Sequence, residues 1–473
     1  MISAMSVFTP QRQHDLCEDP LTLLQRWPDD RPVAMLRSAA GDGPGPWSRW
    51  SLIAEPAGRL CIDKQVIWHG PTPPPCSLPE HTDDPLAVLD HVLKSTMHEA
   101  EHHCPSAGFP LAPGGWLGIF SYELGHAIEP TSTGTHARPE ARSWPMIELL
   151  WCPAALIHDA SDGSWWSIGG AQPPTDIHDP ATDQSLVPPE STPSETEYIN
   201  DVQKVIDYIH AGDVFQVNLT RRLRSQATVS PRALAASAMR NADPRYGFYA
   251  ELPGSEAQQD RAVLSLSPEL FLQVDGTAQQ IVTRPIKGTR PATSSPDELA
   301  DSPKDAAELH MIVDLMRNDL GRLCDPGTVR VVDGRLIESH PTVHHGVGEI
   351  HGRTAADTGL ADMLRATFPP GSITGAPKIR AMQIINELER TERGPYCGAM
   401  GWLTNQNACL SVGIRTLALH GRFQNGFETF TGHIDYGTGG GIVADSDPIA
   451  EFEETEHKAA VFTQLVAPTS IAT

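Results

Sequence analysis

Apolar residues recur at two different periods along this chain, and the change of period separates helices from strands. After the capping-box segment Ser194-Glu-Thr-Glu197, Tyr198, Val202, Val205, Ile206 and Ile209 share one helical face, which Gly212 stops. Segments 85–101, 303–323, 376–390 and 448–465 read as further helices. Short apolar runs bounded by Gly and Pro predict strands at 32–38, 47–54, 114–122, 214–220, 262–266, 271–274, 281–284, 408–419 and 442–444. The mixture shows no regular βαβ alternation, so the expected class is α+β. Between residues 169 and 193 apolar positions thin out among Pro, Asp, Thr and Gln, which reads as a linker or long loop. It divides an N-terminal region, 1–168, from a second region, 194–468, and the two are expected to form one fused unit.

Composition narrows the classes. With 40% apolar and 20% charged residues the chain has a globular make-up able to bury a large core. A net charge of −24 provides no uniform basic footprint for nucleic acid or an anionic membrane. The eight cysteines are scattered without a Cys-x-x-Cys pair, which favours reduced thiols over disulfides or a zinc site. The most apolar stretch, 146–157, contains Glu148 and Pro153 and is too short to span a bilayer. The N-terminus has no basic segment followed by an apolar core, so a cytoplasmic protein is expected.

Several positions carry candidate chemistry. Lys287 lies in Thr283-Arg-Pro-Ile-Lys-Gly-Thr-Arg290, on an expected turn between Arg284 and Arg290, where neighbouring cations and partial burial would favour its neutral, nucleophilic form. Asp305 and Glu308 share one helix face, and Glu451 and Glu454 share another. Such carboxylate pairs suit a hard divalent cation, or are two solvated acidic faces. Gly437-Thr-Gly-Gly-Gly-Ile-Val443 precedes a strand, so its amides either bind a carboxylate or form a bulge or tight turn. Gly371-Ser-Ile-Thr-Gly-Ala-Pro-Lys378 has the same two readings, with Pro377 as first residue of a helix. Arg415 is a lone cation in an apolar strand and would need a partner if buried. His344-His345 could hold a general acid or base, or be a strand-end pair. Glu269 becomes a proton donor only where its surroundings raise its pKa.

Taken together, the ordered segments Gly212-Asp-Val-Phe-Gln-Val-Asn-Leu219, Ser265-Leu-Ser-Pro-Glu269, Arg284-Pro-Ile-Lys-Gly-Thr-Arg290, Met311-Ile-Val-Asp-Leu-Met-Arg-Asn-Asp319, Gly371 to Lys378 and Arg393-Gly-Pro-Tyr-Cys-Gly398 resemble the chorismate-utilising enzymes. These include anthranilate synthase component I, aminodeoxychorismate synthase component I and the isochorismate and salicylate synthases. The resemblance is strong from about residue 194 to 465 and weaker before it. It implies two packed β-sheets with helices outside and the site between the sheets. It implies magnesium held by Glu308 and Glu454, with Asp305 and Glu451 nearby. Chorismate would be bound by Thr374, Gly375, Tyr396, Arg415 and the amides of Gly439 and Gly441. His345 would lie near the leaving group and Glu269 would act as general acid and base. Gln216 stands where water-adding members use a lysine base, and Lys287 where anthranilate synthases usually have alanine. Those two positions imply aminodeoxychorismate synthase component I, with Lys287 as covalent nucleophile. Ammonia would come from a separate glutamine amidotransferase subunit, and the product would serve para-aminobenzoate and folate synthesis. Anthranilate synthase component I is the nearest alternative. A non-catalytic chorismate- or tryptophan-binding regulatory subunit is the alternative of another class.

Overall fold

A computed structural model describes residues 10–38, 49–96, 115–134, 142–175, 185–255, 258–340 and 343–466. Two antiparallel sheets, of 13 and 11 strands among the described residues, form the body of the molecule. Through the middle of the first run Ala34–Arg37, Tyr246–Leu252, Asp260–Ser267, Thr416–Gln424, Thr429–Ile442 and Gln216–Val229, side by side. The second passes from Ile286–Pro291 and Val343–Arg353 through Gln280–Arg284, Leu270–Asp275, Asn407–Val412, Ala399–Leu403 and Gly115–Phe120 to Ile147–Cys152.

Strand periodicity builds the layers. Successive side chains of a strand point to opposite faces, so one strand feeds two cores. In the first sheet Ala34, Leu52, Val263 and Ala418 turn inward, while their neighbours Met35, Ile53, Leu264 and Leu417 turn outward to the helices Pro20–Gln25, Pro231–Ala242 and Pro448–Val466. In the second sheet Leu117, Ile119 and Leu150 meet that same inner layer, while Trp116, Phe120 and Leu149 face outward. The result is helix, sheet, sheet, helix. Strands from both sides of the 169–193 segment interleave: Ala34–Arg37 pairs with Tyr246–Leu252, and Gly115–Phe120 with Ala399–Leu403. Within that segment, Ser185–Leu186 and Glu190–Thr192 are short strands on Gln216–Val229, so its described C-terminal part is sheet edge and not free linker.

The chain crosses between the sheets on very short links. Ile147–Cys152 and Ala155–Asp159 lie in different sheets, which resolves the apolar stretch 146–157 into two strands. Asp260–Ser267 passes to Leu270–Asp275 through Pro268 and Glu269. Asn407–Val412 passes to Thr416–Gln424 through Gly413, Ile414 and Arg415, so the single strand expected at 408–419 is broken.

Helices start where the capping signals lie. The Ser194 amide donates to Glu197 Oε2 at 2.9 Å, opening Glu195–His210. Ser302 caps Pro303–Gly321 by accepting from the Asp305 amide at 3.3 Å. Pro377 is the N-cap of Lys378–Leu388, one position before the N1 place expected. The helix and strands expected at 85–101, 47–54 and 114–122 are described as Pro85–Ser95, Trp50–Ala54 and Gly115–Phe120; residues 97–101, 47–48 and 114 lie outside the described residues, as do 467 and 468. Among the described residues no helix is long and apolar enough to cross a membrane.

Candidate active site

Lys287 belongs to a strand, Ile286–Pro291, and not to the expected turn. The register against Val343–Arg353 shifts between Ile286 and Thr289, where Gly288 has φ +81°, so the irregularity is a bulge. The flanking arginines are engaged elsewhere: Arg284 with Glu338 and with Glu349 at 3.0 Å, and Arg290 with Asp305 at 2.7 Å. They are not what lowers the amine's proton affinity. Burial does so first and Lys458 adds to it, while Glu308, Glu454 and Glu269 pull the other way; the balance lies below the ordinary lysine value.

The amine points at the glycine run. Thr429–Ile442 carries Gly437 to Gly441 inside a strand paired with Gln216–Val229, so neither the tight turn nor the bulge describes it. A Cβ on Gly441 would lie 2.7 Å from Lys287 Nζ, 2.9 Å from Gln216 Nε2 and 3.0 Å from Asn218 Oδ1. Absence of a side chain at 441 thus leaves room for these three groups. Gln216 is fully buried, and neither atom of its amide has a hydrogen-bond partner among the described residues. An unpaired buried amide costs stability unless a ligand completes it. A Cβ on Gly440 would lie 2.8 Å from Glu451 Oε2 and 3.9 Å from Glu454 Oε1, so these two carboxylates sit over that glycine. The Gly439 carbonyl accepts from Lys458 Nζ at 2.8 Å and is therefore turned away from the neighbouring ladder. By the alternation of an antiparallel strand, the amides of Gly439 and Gly441 face the same way.

The remaining candidates gather around this point. Glu269 is buried on its inter-sheet link and accepts from Ser372 Oγ at 2.5 Å. Burial raises its carboxyl to about 7, with Ser372 and Lys287 opposing. The backbones of the two links are joined to the strands beside them: the Val412 amide donates to the Glu269 carbonyl and the Leu266 amide to the Arg415 carbonyl, each at 3.0 Å. Arg415 has φ +51° and no ion pair or side-chain hydrogen bond among the described residues; burial lowers its proton affinity. His345 shares a 2.9 Å hydrogen bond with Thr289 Oγ1, and burial followed by the Arg415 charge keeps the imidazole well below its ordinary range. Tyr396 lies against Gly437, whose Cβ would fall 2.1 Å from the ring. Gly375 pairs with Val217, and the Thr374 carbonyl accepts from the Asn218 amide at 2.7 Å.

Two of the candidates are engaged by other groups. Asp305 is held by Arg290, and His344 shares hydrogen bonds with Ser339 Oγ and the Ser294 carbonyl. No three of the four carboxylates lie within 4.8 Å of one another. The trio that does among the described residues is His420, His433 and Asp435. That trio suits a metal poorly, because Trp144 Nε1 occupies His420 Nε2 and Arg224 takes both oxygens of Asp435. Sequence reasoning missed Asn218, Ser372, Lys304 and Lys458. The lysines were visible as i,i+4 partners of Glu308 and Glu454, whereas Ser372 reaches Glu269 across 103 positions and leaves no local sign.

A family model described as chorismate binding enzyme matches residues 61–464. The chain belongs to the chorismate binding enzymes. Within this family it is 38% identical over 439 residues to aminodeoxychorismate synthase component 1 of Klebsiella aerogenes, covering 86% of this chain and 88% of that one. It is 32% identical over 499 residues to anthranilate synthase component 1 of Mycobacterium bovis, covering 96% and 92%. Among solved structures, anthranilate synthase component I from Streptococcus pneumoniae superposes with a TM-score of 0.69 at 24% identity, over 88% of this chain and 92% of that one. The menaquinone-specific isochorismate synthase of Escherichia coli gives 0.67 at 15% identity, over 97% and 94%. The family fold is therefore the two-sheet arrangement expected from the resemblance.

Proposed function

We propose that this chain is the chorismate-processing component of an aminodeoxychorismate synthase, converting chorismate and ammonia to 4-amino-4-deoxychorismate. The observation that carries the reading is the enclosed Lys287 amine, below its ordinary pKa, beside Gly441 and the unpaired amide of Gln216. The names of relatives 36–38% identical to the chain agree with it.

The neutral amine attacks C2 of the ring, the double bonds shift, and the C4 hydroxyl leaves as water with a proton from Glu269. The new C2 ammonium returns a proton to Glu269. Ammonia then attacks C4, the double bonds shift back, and Lys287 leaves C2 with the Glu269 proton. The C4 ammonium passes its surplus proton to the carboxylate, so ammonia is consumed and one water released. Two successive allylic displacements, the first entering at C2 and the second at C4, account for retention of configuration at C4. A carboxyl titrating at about 7 can both give and take a proton near neutral pH. His345, kept neutral, provides a hydrogen bond at the leaving hydroxyl. Arg415 and the amides of Gly439 and Gly441 receive substrate carboxylate, with Thr374, Gly375 and Tyr396 around the ring.

The acidic residues provide an oxygen-only donor set on two helices, which fits a hard cation. Glu308 and Glu454 would hold magnesium, with Glu451 beside them and Asp305 further out. Bound there, the ion would polarise the substrate through its ring carboxylate. Ammonia comes from a separate glutaminase subunit, a reading supported by the words "component 1" in the relatives' names.

Purified chain with chorismate, magnesium and ammonium is expected to give aminodeoxychorismate on chromatography. Anthranilate as sole product would overturn the assignment, and absence of turnover even with the cognate glutaminase would favour a regulatory subunit.

A further inference from the structure

Three lysines surround the carboxylates at this site, and two of them are not accounted for by the chemistry above. Lys458 Nζ lies 2.6 Å from Glu454 Oε1, one helical turn away, and 2.8 Å from the Gly439 carbonyl. Lys304 stands in the same i,i+4 relation to Glu308, but at 4.0 Å. An ammonium on Glu454 Oε1 weakens that carboxylate's hold on a divalent ion, because two cations would then share one small volume.

We propose that Lys458 is an internal counter-ion that competes with the divalent cation for Glu454. It is a positioning residue: it fixes where the carboxylate points and sets how strongly the site takes up metal. The side chain is about half exposed (48%) and has two anchors, so release from Glu454 leaves it the Gly439 carbonyl or solvent. Lys304, farther from its carboxylate and 67% exposed, exerts a weaker version of the same effect. This inference rests on the proposal that Glu454 is a metal ligand.

The test is direct binding of manganese, as a spectroscopic substitute for magnesium, followed by electron paramagnetic resonance without chorismate. Lys458→Met is expected to tighten binding about tenfold, the scale of removing one charge about 5 Å from a divalent ion at the water-like dielectric of a half-exposed side chain. Lys458→Gln should behave alike, giving a second neutral side chain should the methionine variant fold poorly. Lys458→Arg should stay close to wild type, and Lys304→Met should shift affinity by less than Lys458→Met. Unchanged or weaker binding in both neutral variants overturns the proposal. Glu454→Gln separates the two levels: it should abolish binding at this site, and if it binds manganese like wild type, the ligand assignment itself fails.

Discussion

Glu269, proposed above as general acid and base, would serve that chemistry at the expense of the fold. Its folded pKa of about 7 lies above the 4.5 of an unhindered glutamate, so between those values the folded state binds more protons than the unfolded state. The sign follows: stability is fully present below about pH 4.5 and is lost as pH rises toward 7. At 1.36 kcal/mol per pKa unit the loss approaches about 3 kcal/mol. Glu269→Gln is therefore expected to melt higher than wild type at pH 8 and to show a flatter dependence of melting temperature on pH, while turnover falls at least about 100-fold. A variant no more stable than wild type at pH 8 would remove the buried carboxyl as the cause. At Lys287, intact-mass analysis of wild type with ammonia withheld is expected to show a chorismate adduct, and replacement by alanine should abolish it. An adduct of equal yield in the variant would place the nucleophile elsewhere.

Among the elements, the glycine-bearing strands separate residues needed for the site from residues needed for the fold. The atoms nearest a methyl group at 441 are the ends of side chains, Lys287, Gln216 and Asn218, which can give way more cheaply than backbone. Gly441→Ala should fold normally and lose most turnover. A methyl group at 375 lies 2.1 Å from the Gln216 carbonyl, at φ +149°, where backbone cannot yield cheaply. Gly375→Ala should cost on the order of 3 kcal/mol in urea unfolding. If both variants melt alike, this division is wrong. Periodicity and caps made the elements legible: the Ser194 capping box, the Pro303 start and the apolar alternation around Leu264 all appear where the residues put them. What the pattern could not show was pairing. Nothing local announces that the expected strand at 408–419 breaks at Arg415, or that the glycine run continues a 14-residue strand. The carboxylates were legible as helix faces, while their company, Lys458 and Ser372, depended on which elements meet in space.

At the scale of the molecule, both sheets use strands from before and after the 169–193 segment, so neither half owns a complete core. Residues 194–473 expressed alone are expected to show no cooperative thermal transition by circular dichroism; a sharp melt would mean that the second region folds by itself. Glu269 and Arg415 stand on two of the short links by which the chain steps from one sheet to the other. Their mutual distance is thus fixed by how the sheets rest on each other, and by no single element. Mild urea that loosens that contact would scatter these groups while each sheet keeps its own ladder. Inactivation would then precede the loss of secondary structure, making turnover a more sensitive gauge of the seam between the sheets than any spectrum of the backbone.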